Sequence, residues 1–154
     1  MKSEKQSSAG KGLVPVERGM LEDLVGYHVR KAQAIIFDDF MRAMAPERLS
    51  PGQFGVLVLI SANQGMNQST LAKALGIERS TMVAVITGLE QRGLIKRLPL
   101  ATDRRANILA LTPKGELLLD KVKAKVRAHE NKVTARLTAA ETQTLVSLLQ
   151  KIGG

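Results

Sequence analysis

Arg79, Ser80 and Thr81 stand together in this sequence, with Val83, Ala84 and Thr87 just beyond them. If Leu71, Ala72, Leu75, Ile77, Met82 and Val85 face inward, then Arg79, Ser80, Val83, Ala84 and Thr87 face outward on a helix. Those residue types suit DNA. An arginine reaches a guanine edge bidentately or a phosphate, hydroxyls donate to phosphate or read a base edge, and Val83 and Ala84 suit thymine methyls. Ser80 and Thr81 also suit a purely structural role as helix N-caps. Upstream, Asn67, Gln68, Ser69 and Thr70 open a further helix, whose first backbone N–H groups can hold a phosphate.

Bond-making chemistry finds little support. The chain has no G-x-S-x-G elbow, no phosphate-binding glycine loop and no H-E-x-x-H spacing, so no catalytic residue is assigned. His28 and His129 are the only histidines, and both fall on apolar helical stripes where a satisfied core or pocket group is the simpler reading. The absence of cysteine excludes disulfides, thiol redox sensing and Cys-ligated zinc. A metal-responsive regulator would need further ligands from Asp or Glu, and no metal or cofactor is expected.

The elements that must position these residues follow from periodicity. A short helix with Leu71, Ala72 and Leu75 on one face ends at Gly76, a residue suited to a left-handed helix terminus. A second places Met82, Val85, Ile86 and Leu89 at helical spacing, and the two form a helix-turn-helix. Arg92-Gly93-Leu94-Ile95 leads into a polar loop from Arg97 to Asn107 that carries Pro99 and three arginines. The apolar run Ile108, Leu109 and Leu111 closes a β-hairpin wing. Before this head, Ser50-Pro51-Gly52-Gln53 is a capping box with proline in the first turn, and Phe54, Leu57, Val58 and Ile60 are expected in the core. A helix from Met20 to about Met44, stopped by Pro46, carries Leu21 to Ala43 as an apolar stripe. After the wing, Thr112-Pro113 opens a long helix with Leu118, Val122, Val126, His129 and Val133 in line and many Lys and Arg on its other faces. Thr138 and Glu141 form a second capping box before Leu145, Leu148, Leu149 and Ile152.

With 154 residues and a formal charge of +9, the chain can bury a real core and suits a polyanionic partner. Tyr27, Phe37, Phe40 and Phe54 are too few for a platform that stacks single-stranded bases. No apolar run approaches the roughly 20 residues that span a bilayer. The polar start, Met1 to Gly19, lacks a signal-peptide core, so a cytoplasmic location without membrane contact is expected.

Taken in order, Leu49-Ser50-x-x-Gln53-Phe54, Leu71-Ala72-x-x-Leu75-Gly76-Ile77, Ser80-Thr81-Met82-Val83, Leu89-Glu90-x-x-Gly93-Leu94-Ile95, Asp103-Arg104-Arg105 and Leu109-x-Leu111-Thr112-Pro113-x-Gly115 resemble the MarR family of winged-helix regulators. The resemblance implies a mostly α-helical fold with a small β-hairpin wing, set within an intertwined helical homodimer. It divides the chain into a flexible basic tail, 1–19, and a single domain, 20–154. Within that domain, 20–45 and 113–152 would be dimerisation helices and 50–112 the winged helix-turn-helix. A ligand pocket would lie between the dimer helices and the head. At the wing, Asp103 would pair with one arginine while the other enters the minor groove, drawn by the negative potential of narrow A·T tracts. We assign Arg104 to the groove and Arg105 to the pair, with the reverse assignment open.

The functional expectation is a repressor of transcription, bound to a pseudo-palindromic operator in double-stranded DNA and released by a small-molecule inducer. An aromatic acid or its coenzyme A thioester is the expected effector. His28, Arg30 and Lys31, with the basic helix after the wing, are its candidate contacts. The rival reading is a basic protein that coats DNA without sequence choice.

Overall fold

The computed structural model describes residues 15–100 and 102–154, with only the backbone described at 103–106. The described residues fall into two compact units, 15–33 and 34–154.

In the first unit a 3-10 turn, Gly19–Asp23, precedes the start of α1, Val25–Ala43. The stripe from Met20 predicts one uninterrupted helix. Leu24 instead takes an extended conformation and separates the two pieces. The break releases the Glu22 carbonyl from helical pairing, and the His28 ring lies against it at 2.7 Å.

The second unit begins within α1 and continues through α2 (Pro51–Ala62), α3 (Gln68–Leu75), α4 (Arg79–Gln91), β1 (Ile95–Leu100), β2 (Asp103–Leu111), α5 (Pro113–Val133) and α6 (Ala139–Gly153). Local chemistry sets most boundaries. Pro46 lies in a 3-10 turn, Ala45–Glu47, that follows α1. At α2 the Ser50 hydroxyl accepts from the Gln53 N–H while the Gln53 side chain accepts from the Ser50 N–H, the expected capping box. Thr138 and Glu141 repeat it at α6. Gly76 ends α3 at φ +60, and the Ile77 N–H donates back to the Ala72 carbonyl.

The core of this unit comprises Met44, Leu49, Val56, Leu57, Leu71, Met82, Ile86, Leu89, Leu94 and Val122, all essentially inaccessible. Val58, expected in the core, is exposed, and Val56 takes its place. The inward face of α2 runs through Val56, Leu57 and Ile60, and a residue two positions from Val56 is turned by about 200° to the opposite side. On α5 the buried line is Leu119, Val122 and His129, with Leu118 and Val126 half-buried and Leu117 exposed.

The wing strands run farther than expected. β1 and β2 pair antiparallel from Ile95↔Leu111 to Pro99↔Asn107, taking in much of the segment read as loop. Pro99 is tolerated because the ribbon has two strands, so an edge position without an N–H costs no ladder bond. The register shifts directly after it, between Pro99 and Leu100. The Leu109 N–H also donates to the Met66 carbonyl, tying the wing to the segment before α3.

Gly115 fixes the join between wing and long helix. A Cβ there would lie 2.1 Å from the Leu94 carbonyl oxygen. That carbonyl accepts from the Thr112 N–H, and the Thr112 hydroxyl, which donates to the Gly93 carbonyl, caps α5 by accepting from Gly115.

Two apolar faces are left uncovered among the described residues. On α1, Val25, Val29, Ile35, Ile36, Phe37 and Met41 are each at least 40% exposed. On α6 no residue is buried, and Leu145, Val146, Leu148, Leu149 and Ile152 lie open.

Candidate functional site

Each candidate on α4 lies where the periodicity puts it. Met82, Ile86 and Leu89 anchor the helix in the core, and Arg79, Ser80, Thr81, Val83, Ala84 and Thr87 are all exposed. The N-cap is Glu78, without a side-chain capping bond. Ser80 and Thr81 therefore do not cap this helix, and among the described residues their hydroxyls make no side-chain hydrogen bond within the chain. The result is a small, polar-to-apolar face led by one arginine, with donors, acceptors and methyl groups all directed to solvent.

The start of α3 is more committed internally. Asn67 is its N-cap, and its side-chain oxygen accepts from both the Thr70 N–H and the Thr70 hydroxyl. The N–H groups of Gln68 and Ser69 remain at the open end of the helix, where positive dipole and donors favour an anion. Gln68 itself is half-buried, and its side-chain oxygen accepts from Arg97 at 3.3 Å. Arg97 on β1 also donates to Glu90 near the end of α4, at 3.0 Å. One wing arginine thus ties the wing to both helices of the reading head. The sequence marks Arg97 only as one of three loop arginines. Asp103, Arg104 and Arg105 open β2, but their side chains lie outside the described residues, so the expected pair and groove arginine do too.

The three candidate effector contacts sit in the first unit, on α1. His28 is exposed and engaged with the Glu22 carbonyl, Lys31 lies 5.4 Å from the Tyr27 ring centroid, and Arg30 is exposed. None of them lines the groove of about 500 Å³ found in the second unit, between the end of α1 and the C-terminal part of α5. That groove is lined by Asp39, Arg42, Lys125, His129 and Lys132, with Ala43 and Ala128.

Two buried carboxylates, one lining the groove and one beside it, are each held by more than one basic side chain. Asp39 is buried; one carboxylate oxygen accepts from His129 Nδ1 at 2.9 Å and the other from the Lys132 ammonium. An ionised carboxylate only accepts, so the proton lies on Nδ1 of His129. The Phe40 ring meets the His129 ring edge-on, with centroids 5.4 Å apart. The Lys132 hydrogen bond, then that of His129, holds the Asp39 carboxyl below its usual range against the opposing effect of burial. Glu47, also buried, accepts from Lys125 at 2.8 Å through both oxygens, with Lys121 at 3.2 Å, and is lowered first by the Lys125 bond. Neither acid is signalled by the apolar periodicity. A charge at an inward helical position, with a lysine on another helix, was the available clue for Asp39. Among the described residues no group of three or more His, Asp or Glu is placed to hold a metal ion, and no helix is long and apolar enough to cross a membrane.

Comparison with known proteins places this geometry among regulators. The family model described as MarR family matches residues 49–106. A transcriptional regulatory protein for the hcr operon of Thauera aromatica is 35% identical over 153 residues, covering 99% of this chain and 92% of that protein. The solved structure of the transcriptional repressor CouR bound to a 23-mer DNA duplex superposes with a TM-score of 0.86 at 40% identity, covering 92% of this chain and 100% of that one. A structure of CouR bound to p-coumaroyl-CoA gives 0.82 at 38% identity, covering 90% and 98%.

Proposed function

The chain belongs to the MarR family of winged-helix transcriptional regulators, and on that premise we propose that it is a dimeric repressor released from its operator by an anionic aromatic ligand. The observation that carries the reading is the exposed face of α4, whose Arg79, Ser80 and Thr81 side chains have no hydrogen-bond partner among the described residues. That face enters the major groove. Arg79 takes a guanine edge or phosphate, Ser80, Thr81 and Thr87 supply hydroxyls, and Val83 and Ala84 meet thymine methyls. The start of α3, Asn67 to Thr70, sits on the phosphate backbone. At the wing, Arg104 enters the minor groove beside the Asp103–Arg105 pair.

The uncovered apolar faces of α1 and α6 support homodimerisation, because such faces are otherwise an aggregation liability. A two-fold dimer sets its recognition helices about 34–36 Å apart, one turn of DNA, and so reads a pseudo-palindrome. The protein acts in the cytoplasm as a binding protein, not as a catalyst.

For the effector we propose an aromatic acid or its CoA thioester, the class represented by the p-coumaroyl-CoA bound to CouR. His28, Arg30 and Lys31 are the contacts proposed on α1. As a separate candidate within the second unit, the groove carries Arg42, Lys125 and Lys132, cations whose internal carboxylate partners an anionic ligand can replace.

The test is selection of binding sites from a pool of random duplexes, followed by affinity for the selected and for unrelated DNA at one salt concentration. A specificity ratio of about 1,000 or more on a two-fold symmetric site is expected. A ratio near one identifies a non-specific coating protein instead.

A further inference from the structure

We propose that Arg92 and Glu47 form a clamp that fixes the angle of the recognition helix against the long helix α5, making both positioning residues for DNA reading. The proposal rests on α4 being the reading helix. Arg92 caps the C-terminal end of α4, the end opposite Arg79. Its guanidinium donates through Nη1 to the Arg48 carbonyl and through Nη2 to the Glu47 carbonyl, each at 2.7 Å. Two successive carbonyls of an extended chain point to opposite sides. Here Arg48 takes φ +49, the one positive value for a non-glycine among the described residues, and the two carbonyls converge on a single fork. A strained residue of this kind persists where its surroundings over-determine it.

The α5 helix grips the clamp at two points. The Glu47 side chain, 2% exposed, is held by Lys125 and Lys121. Lys114, in the first turn of α5, donates to the carbonyl of Arg92 itself at 2.8 Å. The end of the reading helix is thereby tied to α5 by a planar, directional fork on one side and an ammonium on the other. A fork of two parallel N–H bonds sets an angle, which a single point charge does not. Glu47 is buried, so it acts on DNA only through this linkage.

Wild-type protein first selects a duplex from a random pool. Arg92→Lys and Glu47→Gln are then compared with wild type on that duplex and on unrelated DNA across a salt series. Arg92→Lys keeps the charge but replaces the planar two-donor fork with a shorter, rotatable point charge that sets no angle. Both variants should lose about tenfold to a hundredfold on the selected duplex, the effect of one misread base pair, with unrelated-DNA affinity and salt slope unchanged. A drop in both affinities together, with a slope reduced by about one, would make Arg92 a phosphate contact and overturn the proposal. Unchanged affinity for the selected duplex overturns it as well.

A second readout does not depend on DNA. The sequence contains no cysteine, so Ser80→Cys and Lys123→Cys give two unique spin-label sites, on α4 and α5. With labelled protein diluted into unlabelled, the distance distribution should broaden or shift on adding Arg92→Lys or Glu47→Gln. A distribution identical to the parent in both variants refutes the clamp. If wild type selects no duplex, the DNA-reading premise falls, and the distance measurement still decides the clamp.

Discussion

Replacing Gly115 by alanine should be among the most damaging single-methyl changes available in this chain. The new Cβ would lie 2.1 Å from the Leu94 carbonyl oxygen, far inside any tolerable contact. The obstacle is backbone, and Leu94 is itself 1% exposed, so it has little room to retreat. The carbonyl also receives the Thr112 N–H at 3.0 Å, and moving it weakens the hairpin-to-helix junction. Overpacking costs about 1–3 kcal/mol, and a lost backbone hydrogen bond about 1 kcal/mol. Alanine returns up to about 1 kcal/mol through its better helix propensity. The net expectation is a loss of about 1–3 kcal/mol. Gly52→Ala is the control, since a Cβ there meets only side chains, Ile77 Cδ1 at 3.5 Å and Val85 Cγ2 at 3.9 Å, in ordinary contact. It should be neutral or stabilise by up to about 1 kcal/mol. Urea unfolding at one fixed protein concentration measures both. Equal stabilities for the two variants would mean that the junction gives way freely and that the packing argument is wrong.

Acid should destabilise the protein through Asp39 and Glu47, whose lysine and histidine partners hold them below ordinary values of 3.8 and 4.5. A lowered folded-state pKa contributes stability above the unfolded value and loses it as pH falls. The thermal midpoint should therefore decline below about pH 4.5, and less steeply in Asp39→Asn with Glu47→Gln; identical slopes would contradict this. Arg104→Ala should reduce A·T preference at positions flanking the operator, and Arg105→Ala should weaken binding without that change in preference. Wild-type affinity and preference in both would remove the wing from the interface. Sedimentation at low concentration should show a dimer throughout the folded state, and a folded monomer would refute the reading of the α1 and α6 faces.

Much of the reading head was legible because its signals are local. Ser50 with Gln53, Asn67, Gly76 and Thr112 each fix a boundary through one side chain or one left-handed residue, and the structure puts these boundaries where the residues ask. The α2 core was misjudged because that helix is apolar nearly all round, so periodicity could not separate Val56 from Val58. The break at Leu24 carries neither glycine nor proline to announce it. The pairings of Arg92, Glu47 and Asp39 were illegible for another reason. The hydrogen bonds of their side chains span between 44 and 93 residues in sequence, and no local pattern encodes a contact of that range.

The central claim, a repressor that its ligand releases from DNA, is tested most directly by titrating p-coumaroyl-CoA into free protein and into protein saturated with its selected operator at one salt concentration. If the ligand loosens DNA by about a hundredfold, the coupling is about 2.7 kcal/mol, and linkage requires DNA to weaken ligand binding by the same factor. A matching hundredfold loss of ligand affinity on the operator is the predicted result. Measurable binding with equal affinity in the two titrations would contradict the account.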